Sequence, residues 1–334
     1  MLPKRTRTCH HVMARHSVRS RMLSYSAILA VTLPVYLTMG LGAVLRRSQF
    51  LPQEVDKGMM RLVVTVLSPC LILDRLLGNE AVMSPVPVLI AAFLGFALVA
   101  LGIVISWFAA PLAGLHVGGG RRTFAMSCGL QNYGFVAIPI VTALFTDKGT
   151  MGVLFTFTLG VELGCWIGGV GILTGFSKAP WRLALNPPVI AILSGLALNF
   201  TGLHAYVPHA AANSFTMIGA CAVPLAVLLI GAAIADIWGQ ERMSWSVSIL
   251  APVLRLAVIP SAFIAAAYWL PLTVELKRIL IVQGAMPSAV FSIMVAKLYG
   301  GHAPTAVQVV ITTTVVSVLT TPLVIAWALK LTGA

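Results

Sequence analysis

Charge is scarce in this sequence: Lys and Arg number 22 and Asp and Glu only 9, together 9% of 334 residues. Soluble domains carry about a quarter of their residues as charges, so composition alone excludes a water-soluble fold. The five cysteines, Cys9, Cys70, Cys128, Cys165 and Cys221, form no CxxC pair and no Cys/His ligand spacing, which excludes a zinc site and a disulfide framework. They read as small apolar packing residues. A phosphate-binding glycine loop, an HExxH and a GxSxG are all missing, so no nucleotide hydrolysis, no catalytic residue and no cofactor or metal is expected. Long polar stretches are missing too: the interruptions at 46–58, 111–121 and 175–186 are loops, too short for a soluble domain. The net charge of +13 would suit nucleic acid, but the basic residues fall in short clusters between apolar runs, and nucleic acid is excluded as a partner.

What is present is apolar: 59% of the residues, in recurring stretches of the length, about 20 residues, that crosses roughly 30 Å of hydrocarbon. The lipid bilayer is therefore the solvent, and the fold class is an all-α multi-pass membrane protein. Apolar windows and Pro/Gly punctuation predict ten spans at 25–45, 59–78, 86–110, 122–145, 150–174, 187–203, 213–237, 246–270, 277–298 and 304–331. Loops after the odd-numbered spans carry ten Lys and Arg and the opposite side five, leaving out the N-terminal tail and Arg255. The positive-inside rule places the odd loops in the cytoplasm and both termini outside it, in a cell inner membrane. The tail 1–21 contradicts this with six basic residues, and a translation start at Met22 would remove the conflict.

Aligning Arg121-Arg122 with Lys277-Arg278, an offset of 156, superposes two interrupted spans. One reads Ser127-Cys128-Gly129-Leu130-Gln131-Asn132-Tyr133-Gly134-Phe135 and continues to Pro139; the other reads Gln283-Gly284-Ala285-Met286-Pro287-Ser288-Ala289-Val290-Phe291. On this register Asn132 faces Ser288. Pro34 with Pro187 or Pro188, and Pro69 with Pro224, repeat nearly the same offset. An odd number of spans per half inverts the second copy, which predicts a 5+5 inverted repeat of 22–174 and 187–334 joined by a cytoplasmic loop at 175–186. Proline inside a span frees main-chain groups that lipid cannot satisfy, so two facing breaks survive only against protein, water or solute. Helix N-terminal dipoles together with Gln131, Asn132, Gln283 and Ser288 then form a candidate docking point for a carboxylate. Lone prolines such as Pro260 and Pro322 read as kinks.

Asn132-Tyr133-Gly134-Phe135 through Ile138-Pro139, Ala285-Met286-Pro287-Ser288-Ala289, and Leu33-Pro34 with Gly40 to Gly42 resemble the auxin efflux carrier family over nearly the whole chain from about Met22. The resemblance implies a ten-helix carrier, similar in fold to bile acid sodium symporters, whose fourth and ninth helices cross at their prolines and bind solute there. It makes Asn132, Pro139, Met286, Pro287 and Ser288 crossover positions, with Gln131, Tyr133 and Gln283 beside them as substrate-binding candidates. Bacterial relatives of this kind look like malonate or malate permeases and plant members export indole-3-acetate, so the implied partner is a small organic anion. The long hydrophilic loop of many plant members is absent, and a homodimer is the assembly to consider.

Glu162, midway along the fifth span, is the candidate for ion coupling, with Thr312, Thr313 and Thr314 of span 10 as expected partners. Asp74 and Asp236 close spans 2 and 7 near the expected vestibule. Arg255, about ten residues into span 8, is expected to pair with a carboxylate or to attract the anion. The tryptophans fall mostly at span ends, as an interfacial belt requires. The competing readings are a sodium-coupled symporter, an intramembrane enzyme using Glu162 with Arg255, and a channel, which lacks a filter-like glycine run or charged ring.

Overall fold

The computed structural model describes residues 25–176, 187–237 and 244–334, so the expectations placed on the tail 1–21, the Met22 start, most of the 175–186 loop, Trp181 and Trp238 lie outside the described residues. The helices are α1 (Tyr25–Arg47), α2 (Asp56–Leu62), α3 (Ser68–Leu76), α4 (Pro85–Ala109), α5 (Arg121–Gly129), α6 (Ala137–Leu144), α7 (Lys148–Leu163), α8 (Val170–Thr174), α9 (Pro187–Phe200), α10 (His209–Gly219), α11 (Ala222–Ile237), α12 (Trp245–Val253), α13 (Ile259–Trp269), α14 (Val274–Ala285), α15 (Phe291–Leu298) and α16 (Ala303–Thr332). No strand forms among the described residues. Among the described residues, six stretches are long and apolar enough to cross a membrane: Ile28–Arg47, Pro85–Ala113, Lys148–Thr174, His209–Asp236, Trp245–Trp269 and Ala303–Thr332. The other expected spans are shorter, less apolar or interrupted.

Three helices continue through a wider π turn, at Val63–Leu67, Gly164–Gly169 and Leu254–Val258. Pro69 and Pro260 each stand two residues beyond such a turn. A proline has no N–H to offer, and the wider turn re-routes the surrounding hydrogen bonds without ending the helix. Span 7 departs from expectation. It is divided between α10 and α11, where Gly219 sits so close to the main chain of Leu71 that an added Cβ would come within 2.7 Å of it.

Helix α7 is buried continuously from 150 to 157, as fits a helix apolar on every side. It packs along α4, with Gly160 against the main chain of Ala92 and Gly95 against that of Phe157; α1 packs along α11 in the same manner, with Gly42 against Leu228 and Gly231 against Met39. Small residues at these crossings let main chains touch, the usual route to tight association where lipid removes the hydrophobic drive. Adding one methyl group in Gly160→Ala is expected to cost about 1–3 kcal/mol, read as a lower melting temperature in detergent, because main chain rather than a flexible side chain must yield.

Packing gathers the helices into two groups, α1–α3 with α9–α11 and α4–α8 with α12–α16, with α6 of the second lying against α1 of the first. Within the first, Asn199 donates to Leu76 O at 2.7 Å and accepts from Gly78 N at 3.1 Å. Arg46 is buried there too, pairing with Asp56 and, at 3.0 Å, with Asp236. A cavity lies where the two groups meet.

Candidate functional site at the crossing of two interrupted helices

Helix α5 ends at Gly129, Leu130 turns extended, and the chain becomes helical again only at Ala137. Helix α14 ends at Ala285, Met286 turns extended, and α15 begins at Phe291. The second break follows from Pro287, which disfavours helical geometry in the residue before it. The two open segments run past each other antiparallel, with Asn132 N donating to Pro287 O at 2.7 Å and Ala289 N to Leu130 O at 2.9 Å, which pairs Gln131 with Ser288. Span 10 supplies more partners: Ser288 N donates to Thr313 Oγ1 at 3.2 Å, and Thr321 Oγ1 donates to Ala285 O at 2.9 Å. Gln283 Nε2 donates to Tyr133 O at 3.0 Å. Protein donors and acceptors already satisfy much of the opened backbone, as a low-dielectric setting demands.

Beside the crossing lies a cavity of about 360 Å³, within the usual range for a small-molecule site. Asn132, Tyr133 and Glu162 line it, with aromatic walls from Phe135, Trp166, Phe291 and Tyr299. Phe135 and Ile138 place the start of α6 at its surface, and Val290 and Phe291 the start of α15. Two helix N-termini, each equivalent to roughly +0.5 charge, thus border the cavity. Asn132 Oδ1 accepts a long 3.4 Å bond from Val136 N, at the head of α6.

Glu162 is buried and accepts from two aromatic donors, Tyr133 Oη at 2.5 Å and Trp166 Nε1 at 3.0 Å. Neither donor comes from span 10, the side expected to supply it. Trp166 stands edge-to-face with Phe291 at 5.8 Å and Tyr299 at 6.5 Å. It is 7% exposed and belongs to the cavity wall, not to an interfacial belt.

The remaining sequence candidates do not line the cavity. Gln131, Gln283, Met286 and Ser288 are completely buried, and Pro287 offers its carbonyl to Asn132. The pairing is Gln131 with Ser288, one residue from the expected Asn132 register. A shift of one residue in an extended pair turns every side chain to the other face, which separates Asn132 from Gln131. Pro139 stands in the first turn of α6, away from the crossing, where its missing N–H costs nothing. Asp74 bonds Thr216 and pairs with Arg75 at 3.2 Å. Arg255, expected to meet a carboxylate, donates instead to the main-chain carbonyls of Gly129, Gln283, Gly284 and Met286.

A family model described as membrane transport protein matches residues 27–174 and, a second time, 172–325. The chain belongs to this family of membrane transporters. The likeness to auxin efflux carriers drawn from the crossover motifs is thereby borne out, and the protein is a multi-pass membrane transporter. An uncharacterized transporter of Methanocaldococcus jannaschii is 25% identical to it over 180 residues, 51% of this chain and 56% of that one. The chain thus spans little more than half the length of this curated relative.

In the transporter a second, larger opening of about 730 Å³ lies at the other end of α7, around Asn79, Asp147, Lys148, Thr273 and Glu275. It does not touch the crossing, and a tie between distant segments lies in its wall. Asn79, 3% exposed, donates to Lys148 O at 2.5 Å and Arg75 O at 3.0 Å, and Gly152 leaves it just enough room. The smaller cavity instead runs toward Pro188 and Tyr299, helix ends that border 175–186 and Gly300–Gly301. Sequence reasoning missed Trp166, Tyr299 and Asn79. Spacing offered a signal for one of them, because Trp166 follows Glu162 by four residues on one helical face.

Proposed function

We propose that this transporter is a secondary carrier for a small organic anion, worked by alternating access at the crossing of its fourth and ninth spans. The observation that carries the reading is the cavity walled by the starts of two half-helices and by Asn132. Their positive ends and an amide suit a carboxylate. The proposed architecture is ten spans in two inverted halves, 22–174 and 187–334, which the double family match at 27–174 and 172–325 supports. In this reading α1–α3 and α9–α11 form a scaffold, and the remaining helices carry the crossing past it. With odd loops in the cytoplasm of a cell inner membrane, the cavity opens inward and Asn79 closes the outer side. Glu162 is the proposed site of proton coupling.

Purified protein in proteoliposomes, tested with malonate, malate and indole-3-acetate, is expected to accumulate at least one carboxylate while rejecting the corresponding neutral amide. Transport of amides or cations with no carboxylate handled would end the anion reading. A sodium-coupled mechanism is the second reading, favoured by Gln131 Oε1, Gln283 Oε1 and Ser288 Oγ, buried oxygens without a protein hydrogen bond. Uptake that requires sodium, with no response to a pH gradient, would select it.

A further inference from the structure

Arg255 is 0% exposed and stands in the π turn Leu254–Val258, deep in span 8. A guanidinium so placed needs compensation, since an unpaired buried charge costs several kcal/mol or more. The compensation comes from main chain. Arg255 Nε donates to Met286 O at 3.0 Å, and Nη2 donates to Gly284 O at 3.2 Å and Gln283 O at 3.4 Å. Nη1 reaches Gly129 O at 3.5 Å. Gln283 and Gly284 stand in the last turn of α14, with Met286 just beyond it, and Gly129 is the last residue of α5. One side chain therefore meets the C-terminal carbonyls of both interrupted helices.

The charges balance. Each helix C-terminus is equivalent to roughly −0.5 charge, so two of them offset one guanidinium without a carboxylate. The surroundings hold the group in place: the Phe263 ring lies 5.9 Å from the guanidinium carbon, and Gly284 passes so close to Phe263 that an added Cβ would come within 2.8 Å of its side chain. Cys128 Sγ, one residue before the end of α5, donates to Ala251 O at 3.7 Å, a second tie between α5 and span 8.

We propose that Arg255 is a positioning residue, the shared C-cap of α5 and α14. It fixes the two breaks against each other and cancels their negative ends, so the dipoles left exposed at the crossing are the positive starts of α6 and α15. Substrate contact plays no part in this role, which stands whether or not the solute is an anion.

Cys128 is a built-in reporter, completely buried in the last turn of α5, and labelling of the same protein unfolded in dodecyl sulfate gives the full extent of reaction. Full-length protein in detergent is treated with N-ethylmaleimide, and labelling at each cysteine is followed by mass spectrometry. Arg255→Met keeps much of the volume but loses charge and donors; its Cys128 labelling rate is expected to rise about tenfold or more over wild type through local opening. Arg255→Lys keeps the charge and three donors and is expected to fall between Met and wild type. Wild-type protection in the Met variant would overturn the proposal, leaving Arg255 as packing only. Equal labelling in Lys and Met would overturn the charge balance. Should the Met variant fail to fold, Arg255→Gln against Arg255→Lys decides the same question: Gln is expected to label faster, and Gln equal to or slower than Lys would sink the proposal.

Discussion

Glu162→Leu is expected to abolish solute uptake and to lower thermal stability more than any other single change in the cavity wall. Tyr133 Oη and Trp166 Nε1 both give their hydrogen bonds to this carboxylate. Leucine would strand two donors in a largely apolar site, at about 1–3 kcal/mol each. Glu162→Gln is milder and more informative. Its single side-chain oxygen can serve one donor, while its NH2 group points a donor at the other. Folded Glu162→Gln that exchanges solute across proteoliposomes but no longer responds to a pH gradient is the expected outcome under proton coupling. Retained coupling would remove Glu162 from that role and leave it as the brace between α7 and the crossing.

Asn132→Asp is expected to leave the fold intact and to reduce apparent affinity for a carboxylate by about a hundredfold or more, since like charges juxtaposed at a site cost several kcal/mol. The two effects have opposite electrostatic origins. Asn132 lies at the head of α6, where a negative side chain is favourable to the helix, so melting temperature holds or rises slightly. The same charge faces the cavity and repels an anionic solute. Asn132→Ala removes the amide without adding charge and is expected to weaken binding only about tenfold, near the worth of one hydrogen bond to a charged group. Equilibrium binding and melting curves on the three proteins separate these terms. Equal affinities in Asn132→Asp and wild type would place the solute elsewhere.

Much of the fold was legible because lipid imposes a simple rule on sequence. Apolar length marks a span, and α1, α4, α16 and the continuous run from α7 through α8 begin and end within a few residues of expectation. The two breaks were legible for the same reason, since Gly129, Gly134 and Pro287 interrupt otherwise apolar runs. Side-chain direction at the breaks was not legible. Period alone cannot say where a helix unwinds, and a one-residue error there sends Gln131 and Ser288 into the protein while Asn132 keeps the cavity. Arg255 was misread for a related reason: buried depth was visible, but main-chain carbonyls as its partners were not, because they leave no mark in sequence. Asn79 looks like an ordinary loop residue and Asn199 like a polar residue near a span end, and only their contacts across distant helices give them weight.

The antiparallel pair at the crossing has a consequence for how such a protein changes over evolutionary time. Its bonds join main chain to main chain, Asn132 N to Pro287 O and Ala289 N to Leu130 O, and are indifferent to most side-chain identities. If the chamber holds the solute, as proposed, cargo preference can drift by exchanging the aromatic and polar groups that wall it while the joint beneath stays the same. One scaffold can in this way come to serve chemically distant solutes without relearning how to fold.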